Sequence, residues 1–399
     1  MPLDAAVRSS DRVGTPSGNL FDCMSCPQEP TDEALFACIA LESDREIVRA
    51  FLAAFPRLAD DDPQLAQLFQ RFLTRPAPSA KSAWHYAFGN LLHIRKNADR
   101  AGDALEGAVI LALHLMEEGS PGAGDYSFPQ ARVFHFGSHL LPPAQRICVD
   151  SDGAGATLVL YSGAEKHVIE FGRTAGEWFG ALPRLHRFGT PSDQIVILPP
   201  AALRPKEFTD VFPLMITADA GMQATCQQAL DLIAAIAPEY ERWVTRLMRH
   251  VVLLRNEPSI IRSGSTLRHP GLSHLSYTDN RVSIAEMLIH EVSHQHFRLL
   301  ERLGPLVDGN DTQLYYSPVK RTGRSLERIL LAYHAFGNML LFYRACLQDR
   351  KLDRSHCARN VDEIEQQLRV LDEPLKDNPS LTDLGQSIYR PLAGRLSLG

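Results

Sequence analysis

The sequence predicts an α+β fold, predominantly helical, and three observations carry that expectation. Apolar residues recur at helical spacing from about residue 31 to 119, and alternating β-rich runs separated by Gly and Pro follow. Helical periodicity then returns after Met222 and carries a His-Glu-x-x-His motif. A chain of 399 residues exceeds what one small core holds, so two or three domains are expected. The divisions read from the pattern are a flexible tail over 1–30 and a helical N-terminal region over 31–119. A β-containing middle region, amounting to a small sheet, covers 120–221. A helical, metal-binding catalytic region covers 222–399.

Residues 1–30 are rich in Ser, Gly, Pro and Asp and lack periodicity. The following stretch places Leu35, Ile39, Ile47, Phe51, Leu65, Leu68, Phe69 and Phe72 at helical intervals. Pro56, Pro63 and Pro76 punctuate it, and Ala104 to Met116 forms a further helix. Past Ser120-Pro121-Gly122 the runs Arg132–Phe136, Ala156–Tyr161, His167–Phe171 and Gln194–Leu198 read as strands joined by turns. Helices return over Met222–Leu254, broken at Pro238. A loop is expected over Asn256–Arg281, then helices over about Ser283–Leu303 and Ser325–Leu347.

Composition narrows the function. Lys plus Arg number 41 against 47 Asp plus Glu, a net charge of −6, and the pI is near 6.2. That balance argues against nucleic acid as a partner, since phosphate binding needs a concentrated positive surface. No apolar run approaches the roughly 20 residues that span a bilayer. The N-terminus has no apolar signal core, and the cysteines are odd in number and scattered, so a cytoplasmic protein with reduced thiols is expected. Cys23-Met-Ser-Cys26 is a lone CxxC without the second pair that a zinc site needs.

His290-Glu291-Val292-Ser293-His294 carries the chemistry. Two imidazoles four residues apart share one helical face and can bind a divalent metal. Ser283-Ile-Ala-Glu286 has the spacing of a capping box ahead of it, and His296 falls off the metal-facing stripe. The Gly-x-x-His extension of the motif is missing, because Phe297 and Leu300 occupy those places. A third ligand must come from the next helix, which offers His334, in an apolar run, or alternatively Glu327 in its first turn. Before that helix stand Lys320, Arg321 and Arg324. Arg324 precedes the helix start, where its guanidinium can fork onto a carboxylate held near the metal.

Ser263-Gly-Ser265, Pro270-Gly271, the HExxH stretch, Ser317-Pro318-x-Lys320 and Leu330-Leu-Ala-Tyr-His-Ala-Phe336 together resemble the HExxH-motif family of 2-oxoglutarate-dependent peptide β-hydroxylases. That family acts in the maturation of ribosomally made peptides. The resemblance spans roughly residues 245–345. It implies Fe(II) held by His290, His294 and His334, 2-oxoglutarate held by Arg324 and Lys320, and a peptide substrate, with Glu291 beside the metal rather than on it. The chain departs from the family pattern at Val319-Lys320 and Arg324-Ser325, and the family's third histidine falls near Leu331. Two other readings stand beside it. One is a zinc metallopeptidase with Glu291 as general base and Glu327 as third ligand. The other is a non-catalytic peptide-maturation partner.

Overall fold

The computed structural model describes residues 21–27, 33–75, 83–95, 101–204, 208, 210–257, 263–265, 269–349, 352 and 354–398. An α+β architecture with helices dominant is what it shows.

The first helices are α1 (Glu33–Ala54), α2 (Pro56–Asp61), α3 (Pro63–Thr74), α4 (Tyr86–Arg95) and α5 (Ala101–Glu117). α3 shows how sequence sets such an element. Pro63 stands in its first turn, Asp62 caps it by accepting from Leu65 N, and Leu65, Leu68, Phe69 and Phe72 form its buried stripe. Each such side chain, fully buried, contributes about 1.5–3 kcal/mol. These residues share a core with one face of an antiparallel sheet ordered β1-β4-β5-β6-β7. Its strands are β1 (Gly122–Arg132), β4 (Ala144–Ser151), β5 (Gly155–Ser162), β6 (Glu165–Thr174) and β7 (Glu177–Gly180). A short hairpin, β2 (His135–Phe136) with β3 (His139–Leu140), lies between the first two.

A second sheet runs β12-β13-β11-β9-β8, from β8 (Arg187–Thr190), β9 (Asp193–Ile197), β11 (His250–Leu254), β12 (Ser263–Ser265) and β13 (Leu272–Ser276). β11 is parallel to both β9 and β13, and β12 is antiparallel to β13; β10 (Met215–Ile216) pairs with β11. On one face of this sheet, Val251, Leu253 and Leu275 share a core with α6 (Ala220–Ile236), α7 (Pro238–Leu247) and α8 (Arg281–Leu300). α9 (Leu326–Gln348), α10 (Arg354–Asp372) and α11 (Asp383–Leu396) complete that core, with the hairpin β14 (Tyr315–Ser317) and β15 (Thr322–Arg324) leading into α9. No helix among the described residues is long and apolar enough to cross a membrane.

Three sequence expectations need correction. The tail read as mobile over 1–30 is, over its described residues 21–27, part of the core. Met24, Ser25 and Cys26 are fully buried, and Ser25 Oγ donates to Ile388 O; residues 1–20 and 28–30 lie outside the described residues. Second, the β structure is not one small sheet confined to 120–221, because β11, β12 and β13 carry it to Ser276. His250–Leu254 is apolar enough to continue a helix, but α7 ends at Leu247 and the buried β-branched Val251 and Val252 enter the sheet. Third, α8 is capped by Asn280, whose Oδ1 accepts from Val282 N at 2.9 Å, rather than by Ser283. Glu286 does not reach back to the helix start; it accepts a hydrogen bond from the Tyr343 hydroxyl of α9.

Candidate metal centre

α8 is buried on nearly every side, and the exceptions between Val282 and Leu300 fall on one line. Glu286, His290, His294 and Arg298, each four residues after the last, are the partly exposed positions. The motif therefore opens outward along a single stripe while the rest of the helix is fixed in the core. Gln295 does part of that fixing. Its Oε1 accepts from Trp84 Nε1 at 2.7 Å and from Gly271 N at 3.1 Å, tying the helix to the loop before β13.

The two motif imidazoles meet at their Nε2 atoms, 3.0 Å apart. Two nitrogens bound to one ion at about 2.1 Å stand about 3.0 Å apart at a right angle and about 3.4 Å apart at a tetrahedral angle. The observed 3.0 Å is a hydrogen-bond contact between the two rings, and it lies within a few tenths of an ångström of both separations. His290 Nδ1 faces Met339 Sδ at 3.0 Å, and its ring meets Phe336 edge-on at 5.6 Å, so α9 forms the wall behind it. Burial lowers the His290 pKa to about 4, with the nearby Lys320 ammonium adding to the effect. His294 is pushed well below its usual value by burial and then by His290, with His334, Arg298 and Arg328 contributing. Both rings are therefore neutral at pH 7, the form that binds metal.

Glu291 is fully buried, its Oε1 3.9 Å from His290 Nε2. Ser263 Oγ donates to Oε1 at 2.5 Å, while Oε2 is buried with no hydrogen-bond partner. Burial raises this carboxyl to about 7, against the hydrogen bonds from Ser263 and Ser265. A buried carboxylate with an orphaned oxygen beside two neutral imidazoles calls for a positive charge. The donor set fits a divalent cation held by His290 and His294. β12 supplies the serines because Gly264 lies between them against β13: a Cβ there would stand 2.5 Å from the His274 ring.

Neither residue considered as third ligand closes with this pair into a group of three among the described residues. His334 is fully buried, with Nε2 facing the carbonyls of Ser25 at 2.8 Å and Met24 at 3.0 Å. A further backbone interaction with Ser293 also acts on its ring. The buried N-terminal segment claims the Nε2 side of this imidazole, a use invisible in a tail, while Nδ1 is buried with no hydrogen-bond partner. Glu327 is 44% exposed and lies 4.0 Å from Arg298, beside Glu301. Among the described residues no group of three His, Cys, Asp or Glu side chains closes on one point. Lys320 is exposed and Arg324 half-buried on the β14–β15 hairpin, and among the described residues no side-chain hydrogen bond or ion pair is found for either. His296 is structural: it stacks on Trp243 at 4.0 Å, and its Nε2 meets Trp243 O at 3.1 Å. Sequence reasoning missed Met339, Ser263 as the partner of Glu291, and Arg328. The Ser-Gly-Ser string was the one available signal among them. No protein-family model matches the chain, and no curated protein matches it significantly.

Proposed function

We propose that the protein is an Fe(II)- and 2-oxoglutarate-dependent oxygenase that hydroxylates a side-chain carbon of a peptide. The observation that carries the metal is the 3.0 Å separation of His290 and His294 Nε2, beside the orphaned Glu291 Oε2. Two neutral imidazoles meeting at their Nε2 atoms suit an ion that would keep adjacent positions open for a chelating keto acid. When bound, iron and 2-oxoglutarate would supply, with O2 as the oxidant, oxidative decarboxylation of the keto acid to a carboxylate and CO2 coupled to hydroxylation.

The chain's own groups have distinct parts in this reading. His290 and His294 hold the ion, while Met339 and Phe336 fix the His290 ring. Lys320, close enough to depress the His290 pKa, supplies positive charge for a cosubstrate carboxylate, with Arg324 on the same hairpin. Glu291, held by Ser263, balances the charge and orients a polar group of the bound molecules. A peptide substrate made on the ribosome is part of the proposal and rests on the resemblance alone. A cytoplasmic setting agrees with seven cysteines that are all free thiols.

A zinc peptidase is the second reading, favoured by Glu291 standing at about 7, where a general base works. Against it, Glu327, its natural third ligand, lies beside Arg298 and Glu301 instead. Anaerobic visible absorption of Fe(II)-loaded protein, titrated with 2-oxoglutarate, separates the two. A charge-transfer band supports chelation at adjacent positions. Its absence, with zinc recovered and peptide cleaved, overturns the oxygenase reading.

A further inference from the structure

Four imidazoles outside the motif gather where the N-terminal helices, the β2–β3 hairpin and the second sheet meet. His85 precedes α4, His114 lies in the last turn of α5, His135 opens β2 and His250 opens β11. His85, His114 and His250 are buried, and the His135 side chain is 9% exposed. Their rings are in contact: His85 stacks on His114 at 3.7 Å and meets His250 edge-on at 4.7 Å, and His250 is 5.9 Å from His135.

One carboxylate faces two of them. Glu117, one turn after His114 on α5, places Oε2 3.9 Å from His114 Nδ1 and Oε1 3.6 Å from His135 Nδ1. These separations are too long for hydrogen bonds. They are close to the roughly 3.4 Å between two ligands of one tetrahedral zinc. His135 Nδ1 and His250 Nδ1 are buried without hydrogen-bond partners. The other nitrogen of His135 is bonded to the Tyr86 hydroxyl. With Nε2–H donating to that oxygen, the Nδ1 lone pair is left for a cation, an outer-shell contact typical of metal-bound histidine. Glu117 Oε1 also accepts from Gly137 N at 2.6 Å, which anchors the carboxylate.

The space has the size of one ion. A cavity of about 20 Å³ is lined by His85, Tyr86, His114, Glu117 and His135, among others. It admits a single water-sized body and no organic molecule. A cleft of about 270 Å³, bordered by His85, His114, Glu117 and His250, lies beside it as an entry route. His85 is not a ligand, because its Nδ1 accepts from Ala87 N at 3.2 Å and parallel stacked rings cannot aim at one point.

We propose that this cavity is a second, structural metal site, taking Zn(II) on His114 Nδ1, His135 Nδ1 and the Glu117 carboxylate, with His250, from the adjoining cleft, as fourth ligand. As they stand these donors do not yet close to bonding distance on one point. The two Glu117–histidine pairs need to close by only a few tenths of an ångström, and rotation of the carboxylate with movement of the His250 ring completes the site. Its ligands come from α5, β2 and β11, so the ion would clasp the N-terminal helices to the sheet that supports the motif helix. The site does not depend on the proposed oxygenase activity.

The test is Co(II) titration of chelator-treated full-length protein, read by visible absorption together with metal analysis. Wild type is expected to take two equivalents. The His290→Ala/His294→Ala double variant should retain one, with the intense bands of tetrahedral cobalt. Adding Glu117→Gln or His135→Gln to that variant should abolish the bands, while His85→Asn leaves them. A folded double variant that binds no cobalt overturns the proposal, and the cavity then holds a water. That decisive measurement leaves the cavity residues intact, so it does not rely on the cavity variants folding.

Discussion

His290 and His294 present Nε2 atoms to each other across 3.0 Å on the single partly exposed stripe of a buried helix. Two neutral imidazoles so placed can share only one proton, and a divalent ion satisfies both lone pairs at once. Replacing either with Ala leaves one imidazole, and iron or zinc affinity at the motif should fall by more than about 100-fold. The fold should be retained, because both side chains reach solvent. Metal competition against a chromophoric chelator measures this, and unchanged affinity in either variant would remove the motif from the metal's ligands.

Glu291 separates the two enzymatic readings. Substitution with Gln keeps the shape and the acceptor for Ser263 Oγ but removes the negative charge. In the oxygenase reading Glu291→Gln still binds iron and 2-oxoglutarate, and single-turnover hydroxylation falls by about tenfold to a hundredfold. In a peptidase the same change removes the general base and abolishes cleavage. The ratio of cosubstrate affinity to turnover in this variant is the quantity to measure.

His334 gives the opposite expectation from its place in the sequence pattern. Its Nε2 is committed to the carbonyls of Met24 and Ser25, and Asn338 Nδ2 also donates to Ser25 O at 2.9 Å. His334→Ala should therefore leave motif metal affinity nearly unchanged while destabilising the protein by about 2–4 kcal/mol through unpaired buried carbonyls and a cavity. Denaturant midpoints and metal affinity, measured on the same variant, decide it. Loss of the metal without loss of stability would restore His334 as a ligand.

The motif pair and the two helices around it were legible because periodicity and i, i+4 spacing are local properties of the chain. Ser325 likewise marked the start of α9 to within a residue. What stayed illegible depends on partners distant in sequence. Nothing local in Cys23-Met-Ser-Cys26 says that its carbonyls meet a histidine 309 residues away. Asn280 outcompeted Ser283 as cap because Glu286 was drawn to Tyr343, a residue 57 positions on. The parallel pairing of β11 with β9 and β13 is similarly non-local, so His250–Leu254 looked like the tail of a helix.

Asp44 supplies a prediction about pH. It is buried in α1, Oδ2 accepts from Trp84 N at 3.0 Å, and Oδ1 is without a hydrogen-bond partner. Burial raises its pKa from 3.8 to about 7, opposed by the Trp84 hydrogen bond and by His114, Arg302 and Arg75. Because the folded value lies above the unfolded one, folding favours the protonated acid. Its contribution is whole below pH 4 and is lost as pH rises toward 7, by about 4 kcal/mol at about 1.36 kcal/mol per unit. Asp44→Asn keeps an acceptor for Trp84 N and removes the titration. Relative to wild type, the variant should gain stability steadily from pH 4.5 to about 7 and level off by pH 8. Trp84 also donates to Gln295 on the motif helix, so the gain should extend to the motif as slower hydrogen exchange along α8. Urea midpoints at both pH values provide the check. A stability difference between the two proteins that does not change with pH would show that Asp44 is ionised in the fold.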